Sequence, residues 1–223
     1  MSNIILDIKI MSHQKKILVL VYVLIIFLNC TGQEKKVPVE KQKVGGYCEG
    51  CSAIFEYGNK KLSSSDTLPG FLENNPKLKI TGTVFKKDGK TPAENIVLYI
   101  YYTNRNGIYE TKGDEIGWAK KHGFIRGWIK TGKEGEYTFY TFLPGAYPNR
   151  KEPKHIHITI KEPDKNEYFI DGYVFDNDPL LTRTERNKLD NRGGSGIIKP
   201  KIEEGLLTAK RNIILGKNIP HYE

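Results

Sequence analysis

The chain has 223 residues and a formal net charge of +9, a length that admits one sizeable domain or two small ones. Its basic residues are scattered rather than gathered on a recognition motif, which sets nucleic-acid binding aside. Its 13 Tyr, 9 Phe, 22 Gly and 11 Pro point to short strands joined by turns rather than to long helices.

Near the start, Lys15 and Lys16 precede the apolar run Ile17 to Leu28, and Asn29-Cys30 ends it. The run is shorter than the about 20 residues a membrane-spanning helix needs. A basic lead, a short apolar stretch and a closing Cys read as an export signal. Phe27-Leu28-Asn29-Cys30 resembles a bacterial lipobox, in which the Cys becomes the lipidated first residue, although Asn29 stands where Gly, Ala or Ser is usual. Residues 1–30 are therefore expected to be a lipoprotein-type signal peptide, with Met11 as an alternative start. The protein is expected to be exported and held on a bacterial membrane, on its periplasmic face or the cell surface, through lipid on Cys30. Residues 31–45 are rich in Lys and Glu without apolar periodicity and read as a flexible tether. The folded domain is expected over 46–223.

Cys48 and Cys51 then form Cys-Glu-Gly-Cys. In an exported chain such a pair is expected as a small disulfide; zinc would need further ligands, and no other Cys follows. Residues 47–57 read as a helical turn or an irregular lead-in, and 63–76 as loop. Strands are expected over Ile80–Phe85, Asn95–Thr103, Phe124–Thr131, Tyr137–Phe142, from His155 and over Tyr168–Phe175, with turns at Asp88-Gly89, Asn106-Gly107, Glu134-Gly135 and Pro144-Gly145. Thr182 followed by Glu185 is a capping-box pattern that opens a short helix. The glycine loop at 192–196 lacks the Lys-Ser/Thr of a phosphate loop and reads as a turn. Leu206–Gly216 is expected to pack back on a sheet. The fold class is mainly β: a sandwich of antiparallel strands with short helices and long loops.

One stretch carries chemistry. His155-Ile156-His157-Ile158-Thr159-Ile160 alternates polar and branched apolar residues, the period of a strand. Residues two apart on a strand share a face, so both imidazoles converge while the three Ile turn inward. Tyr147 and Tyr109 lie at turns before this strand. Two imidazoles and two phenolates suit a small, highly charged ion such as Fe(III) better than zinc.

The segments Asn106-Gly-Ile-Tyr109, Leu143-Pro-Gly-Ala-Tyr147-Pro148 and Pro153-Lys-His155-Ile-His157 resemble the intradiol ring-cleavage dioxygenases, the catechol and protocatechuate 3,4-dioxygenases. The resemblance runs from about Ile80 to Phe175. It implies a β-sandwich holding non-haem Fe(III) on Tyr109 and His155 (equatorial) and Tyr147 and His157 (axial). It also implies a small aromatic diol and O₂ as substrates and a muconate-type product, with Tyr147 displaced and taking up a substrate proton. The family often has an Arg three residues before the first ligand His; here Glu152 holds that place, and Arg126 or Arg150 is expected to supply the missing cation. The family's Gln is represented by Asn166. His122 is read as a solvated loop residue, Trp128 as core, and Trp118 as a candidate wall for a planar substrate. The competing reading is a non-catalytic β-sandwich lipoprotein acting as a binding module. Both readings are compatible with an oligomer.

Overall fold

The computed structural model describes residues 42–223. The expected signal peptide, Cys30 and most of the expected tether lie outside the described residues. A 3-10 turn, Cys51–Phe55, precedes the strands β1 (Ser65–Thr67), β2 (Lys77–Phe85), β3 (Val97–Tyr101), β4 (Arg126–Lys130), β5 (Glu136–Phe142), β6 (His155–Lys161) and β7 (Tyr168–Phe175). Four short strands follow: β8 (Ile197–Ile198), β9 (Lys201–Glu203), β10 (Leu206–Lys210) and β11 (Ile213–Ile214). The helices among the described residues are Ala119–His122 and Arg183–Asn187. The second is capped as its sequence predicts, with the Glu185 amide donating to the Thr182 hydroxyl at 3.3 Å.

Two sheets make a sandwich. One runs β1-β5-β2-β10-β9, with β11 also on β2; the other runs β4-β3-β6-β7-β8. The long neighbours are antiparallel, as expected, but β1, β8, β10 and β11 join in parallel. The predicted loop 63–76 thus contains a strand, β1, and Leu206–Gly216 does return to the sheet, as β10 and β11 beside β2.

Alternation decides which side chains fill the space between the sheets. β2 buries every second residue, Leu78, Ile80, Gly82 and Val84. On β6, Ile156, Ile158 and Ile160 are almost fully buried and meet Ile80, Ile100 and Phe139 in one cluster. Each such side chain contributes about 1.5–3 kcal/mol by leaving water. The other face of the second sheet is then set by the pleat: Arg126, Tyr101 and His157 stand in register across β4, β3 and β6. The 3-10 turn covers part of this outer face, where Ala53 and Ile54 cluster with Tyr99 and Trp128. The Trp128 indole donates to the Ala53 carbonyl at 3.2 Å and Arg126 to Glu56 at 2.6 Å, holding the segment there, while the Cys48–Cys51 disulfide, whose α-carbons are 5.7 Å apart, closes the loop that leads into it.

Candidate metal centre

Two loops and one strand bring the four expected donors together. Tyr109 lies between β3 and the helix Ala119–His122, Tyr147 lies between β5 and β6, and both histidines are on β6. The Tyr109 and Tyr147 hydroxyls are 2.6 Å apart, and Tyr109 Oη is 2.8 Å from His157 Nε2. His157 Nε2 is 3.1 Å from His155 Nε2, which is 3.5 Å from Tyr147 Oη. The four atoms close a ring. Donors bound at about 2.1 Å and at right angles would lie about 3 Å apart, so the ring has the size of the ligand shell of one small ion.

The backbone explains how the tyrosines arrive. Asn104 Oδ1 accepts from the amides of Asn106 and Ile108 at 2.9 and 3.1 Å, and its own carbonyl accepts from Gly107 and Gly145 at 3.0 and 2.9 Å. One residue therefore ties the Tyr109 turn to the Tyr147 loop. The two loops touch through glycine: a β-carbon on Gly145 would sit 2.4 Å from the Arg105 carbonyl oxygen, and Gly107 has φ +76°. Beside the strand histidines, β7 carries a bulge in which Asp171 and Gly172 oppose His157 alone.

Orientation and charge follow from the surroundings. His155 Nδ1 lies 2.8 Å from the Pro153 carbonyl, which can only accept, so Nδ1 carries the proton and Nε2 faces the ring with a free lone pair. Burial, then the neighbouring His155 and His122, hold His157 well below the usual imidazole range. Burial pushes the phenols of Tyr109 and Tyr147 up, Glu152 adding to both and Arg150 opposing it at Tyr147. Without a metal the donor set is thus two neutral phenols and at least one neutral imidazole. A strongly charged cation could expel both phenolic protons and leave a compact dianionic shell. The residues fit a ferric ion on that ground. Among the described residues no cluster of three or more His, Cys, Asp or Glu offers another metal site.

The remaining expected residues fall in different places. Arg126 donates to Glu56 at 2.6 Å and lies over the Trp128 ring, separated from His157 by Tyr101. Arg150 is largely exposed, 5.2 Å over the Tyr147 ring and 3.8 Å from Glu152. Asn166 does not face the donors: its side chain donates to and accepts from the backbone of Val44 at 3.0 Å. Trp128 is in the core, as expected, while Trp118 stacks on His122 and donates to Ser52.

His122 corrects its sequence reading. It is 5% exposed, not solvated, and Nδ1 is 2.9 Å from the Tyr99 hydroxyl. Its ring lies 3.7 Å from that of Tyr101, which in turn stacks at 4.5 Å on His157. Tyr101 therefore backs the His157 ring and His122 backs Tyr101. Tyr101 and Asn104 are supports that sequence reasoning missed; Asn106-Gly107 signalled the turn but not what it leans on.

Among the described residues, three cavities of about 200 Å³ or more border this region. The largest, about 680 Å³, is lined by Lys112, Phe124, Arg126 and Trp128 but by none of the four donors. Two smaller ones reach His157 and share Phe169 and Ile170. One, of about 200 Å³, lies under the Cys48 loop; the other, of about 290 Å³, also reaches His155 and Glu152. Chemistry rather than size places the candidate site at the smaller pair.

A family profile described as Dioxygenase matches residues 67–188, more than half of the chain. The chain belongs to the intradiol ring-cleavage dioxygenase family. Among curated relatives of this family, the protocatechuate 3,4-dioxygenase beta chain of Burkholderia cepacia is 32% identical over 108 residues, covering 46% of each chain. Catechol 1,2-dioxygenase 1 of Acinetobacter lwoffii is 30% identical over 122 residues, covering 47% of this chain and 37% of that one. The chain spans less than half the length of these relatives. Solved structures share the fold. The dioxygenase domain of a carbohydrate-binding fusion protein from Streptomyces sp. SirexAA-E aligns with TM-score 0.50 at 21% identity, over 69% of this chain and 87% of that one. Hydroxyquinol 1,2-dioxygenase from Pseudomonas putida DLL-E4 aligns with TM-score 0.50 at 17% identity, over 70% and 62%.

Proposed function

We propose that this chain is a non-haem Fe(III) dioxygenase that cleaves a catechol-like diol with O₂ between its two hydroxylated carbons, giving a muconate-type dicarboxylic acid. The closed ring of Tyr109, Tyr147, His155 and His157 donor atoms carries the reading. These four would hold the iron, which supplies Lewis acidity and a template for the diol. The Pro153 carbonyl keeps the bare nitrogen of His155 on the donor side, and Tyr101 holds the His157 ring from behind. Tyr147 is the less deeply buried phenol, with Arg150 over its ring. Its Oη is the atom suited to leave the set and accept a proton from an arriving diol. Phe169 and Ile170 give the adjoining cavities an apolar side that limits water.

The test is the iron content, colour and oxygen uptake of the domain reconstituted with iron. Tyrosinate-to-iron absorption that shifts on adding a diol, with O₂ consumed and a muconate formed, supports the proposal. A colourless protein that takes up no iron overturns it and leaves the binding-module reading.

The cellular setting belongs to the same proposal. Residues 1–30 would direct export, and lipid on Cys30 would hold the domain on a membrane surface through the tether. Cys30→Ser should release the protein or leave its precursor unprocessed. A water-soluble processed form of the unmutated chain would reject the anchor.

A further inference from the structure

The cavity that reaches both imidazoles is walled mainly by one sign of charge. Among the described residues, Glu152, Asp171, Glu185 and Asp190 line it, against the single cation Lys188. Three of the carboxylates are already engaged. Glu185 pairs with Lys188 at 2.6 Å, Asp190 lies 3.5 Å from Arg192, and Asp171 accepts from the amides of Asn191 and Arg192 at 2.8 and 3.2 Å. Glu152 differs. Among the described residues its one ion-pair partner is Arg150, 3.8 Å away, with a side chain 70% exposed, and such a pair is largely screened by water. Glu152 also stands three residues before His155, on the segment that delivers the histidine to the ring.

A ring bound in this cavity with its two oxygens toward the donors must lodge its other substituents among these walls. Its volume of about 290 Å³ suits a single ring with a short side arm. Charge on that arm then meets Glu152.

We propose that Glu152 makes this site selective for diols whose ring substituent is neutral or cationic, an ammonium-bearing catechol above all, and against those bearing a carboxylate. The inference rests on the diol-cleaving reading given above. At separations of about 6–8 Å near a protein surface, one full charge on the substituent changes affinity by about tenfold. The half-exposed Glu152 keeps the effect near that size rather than larger. The chain would thereby part from a relative named for protocatechuate, a carboxylated diol.

The test is an optical titration of the iron-loaded protein with aminoethyl-, methyl- and carboxyl-substituted catechols at neutral pH, reading Kd from the absorption shift. The ammonium form should bind most tightly and the carboxylate form about tenfold or more weaker than the methyl form. Glu152→Gln should compress the spread to about threefold, and Glu152→Arg should invert it; circular dichroism checks that both variants fold. A carboxylate form that binds as tightly as the methyl form, or a spread unchanged in Glu152→Gln, overturns the inference while leaving diol binding intact. If none of the three diols shifts the spectrum, the diol reading itself fails and the inference falls with it.

Discussion

Gly107 lies against Ala146 so closely that a β-carbon added to it would sit 1.9 Å from the Ala146 carbonyl oxygen. Ala146 precedes Tyr147, and Tyr109 follows Gly107 by two residues, so this contact sets the distance between the two phenols. Gly107→Ala should force the loops apart, with added strain from its positive φ. The expected outcome is a folded protein with iron affinity lowered by tenfold or more and weakened tyrosinate absorption. Near-ultraviolet circular dichroism and iron titration check it.

His157→Ala and Tyr147→Phe should separate holding a metal from using it. His157→Ala removes a partly buried donor that closes the ring on two sides, so bound iron should fall sharply. Tyr147→Phe keeps the ring under Arg150 but has no oxygen to coordinate or to take a proton. Iron should largely remain while turnover drops by about a hundredfold or more. Metal analysis beside oxygen uptake distinguishes the two.

The metal-free domain should lose stability in mild acid, in part through His122. Burial first, then Arg126, lowers this imidazole from 6.5 to about 4. Between those values the unfolded chain binds a proton that the folded one refuses, so stability is full above about pH 6.5 and declines as pH falls toward 4. The loss is on the order of 1–3 kcal/mol. His122→Gln should flatten the slope of denaturation midpoint against pH over that window. An unchanged slope would assign it to other groups, among them His157.

Reduction of Cys48–Cys51 should cost stability and loosen the wall beside His157. Closing so short a loop is worth about 2 kcal/mol, a fall of several degrees in Tm for a domain of this size. The double variant Cys48→Ser, Cys51→Ser should show the same fall without reductant, measured by calorimetry. Mass spectrometry of the unreduced protein should find the pair two hydrogens lighter than free thiols.

The sequence made the inward and outward faces of β6 legible, because alternation alone separates His155 and His157 from the three Ile. Most long strands were readable for the same reason. Ser65–Thr67 was not: three residues carry no period, and β1 exists because β5 offers it a partner. The place of Tyr109 could be read only through family resemblance, since no local pattern ties it to a strand 46 residues later. His122 was misread because Lys120, Lys121 and Gly123 suggest a wet loop, whereas its burial comes from Tyr99 and Tyr101, far off in the chain. Arg126 alternates onto the correct face of β4, yet sequence gives no hint that Glu56 would hold it.

The Gly45 amide donates to the Pro220 carbonyl at 2.7 Å, and the Asn166 side chain grips Val44 from the loop between β6 and β7. Gly45 and Pro220, near the two ends of the described residues, are thus already neighbours, so a linker of a few residues could join those ends without moving a strand. New chain ends opened in the exposed turn at Lys87–Lys90 would give a circular permutant that keeps both sheets. A domain reordered in that way would show whether the ring of Tyr109, Tyr147, His155 and His157 donors forms without the native order of the strands that carry it.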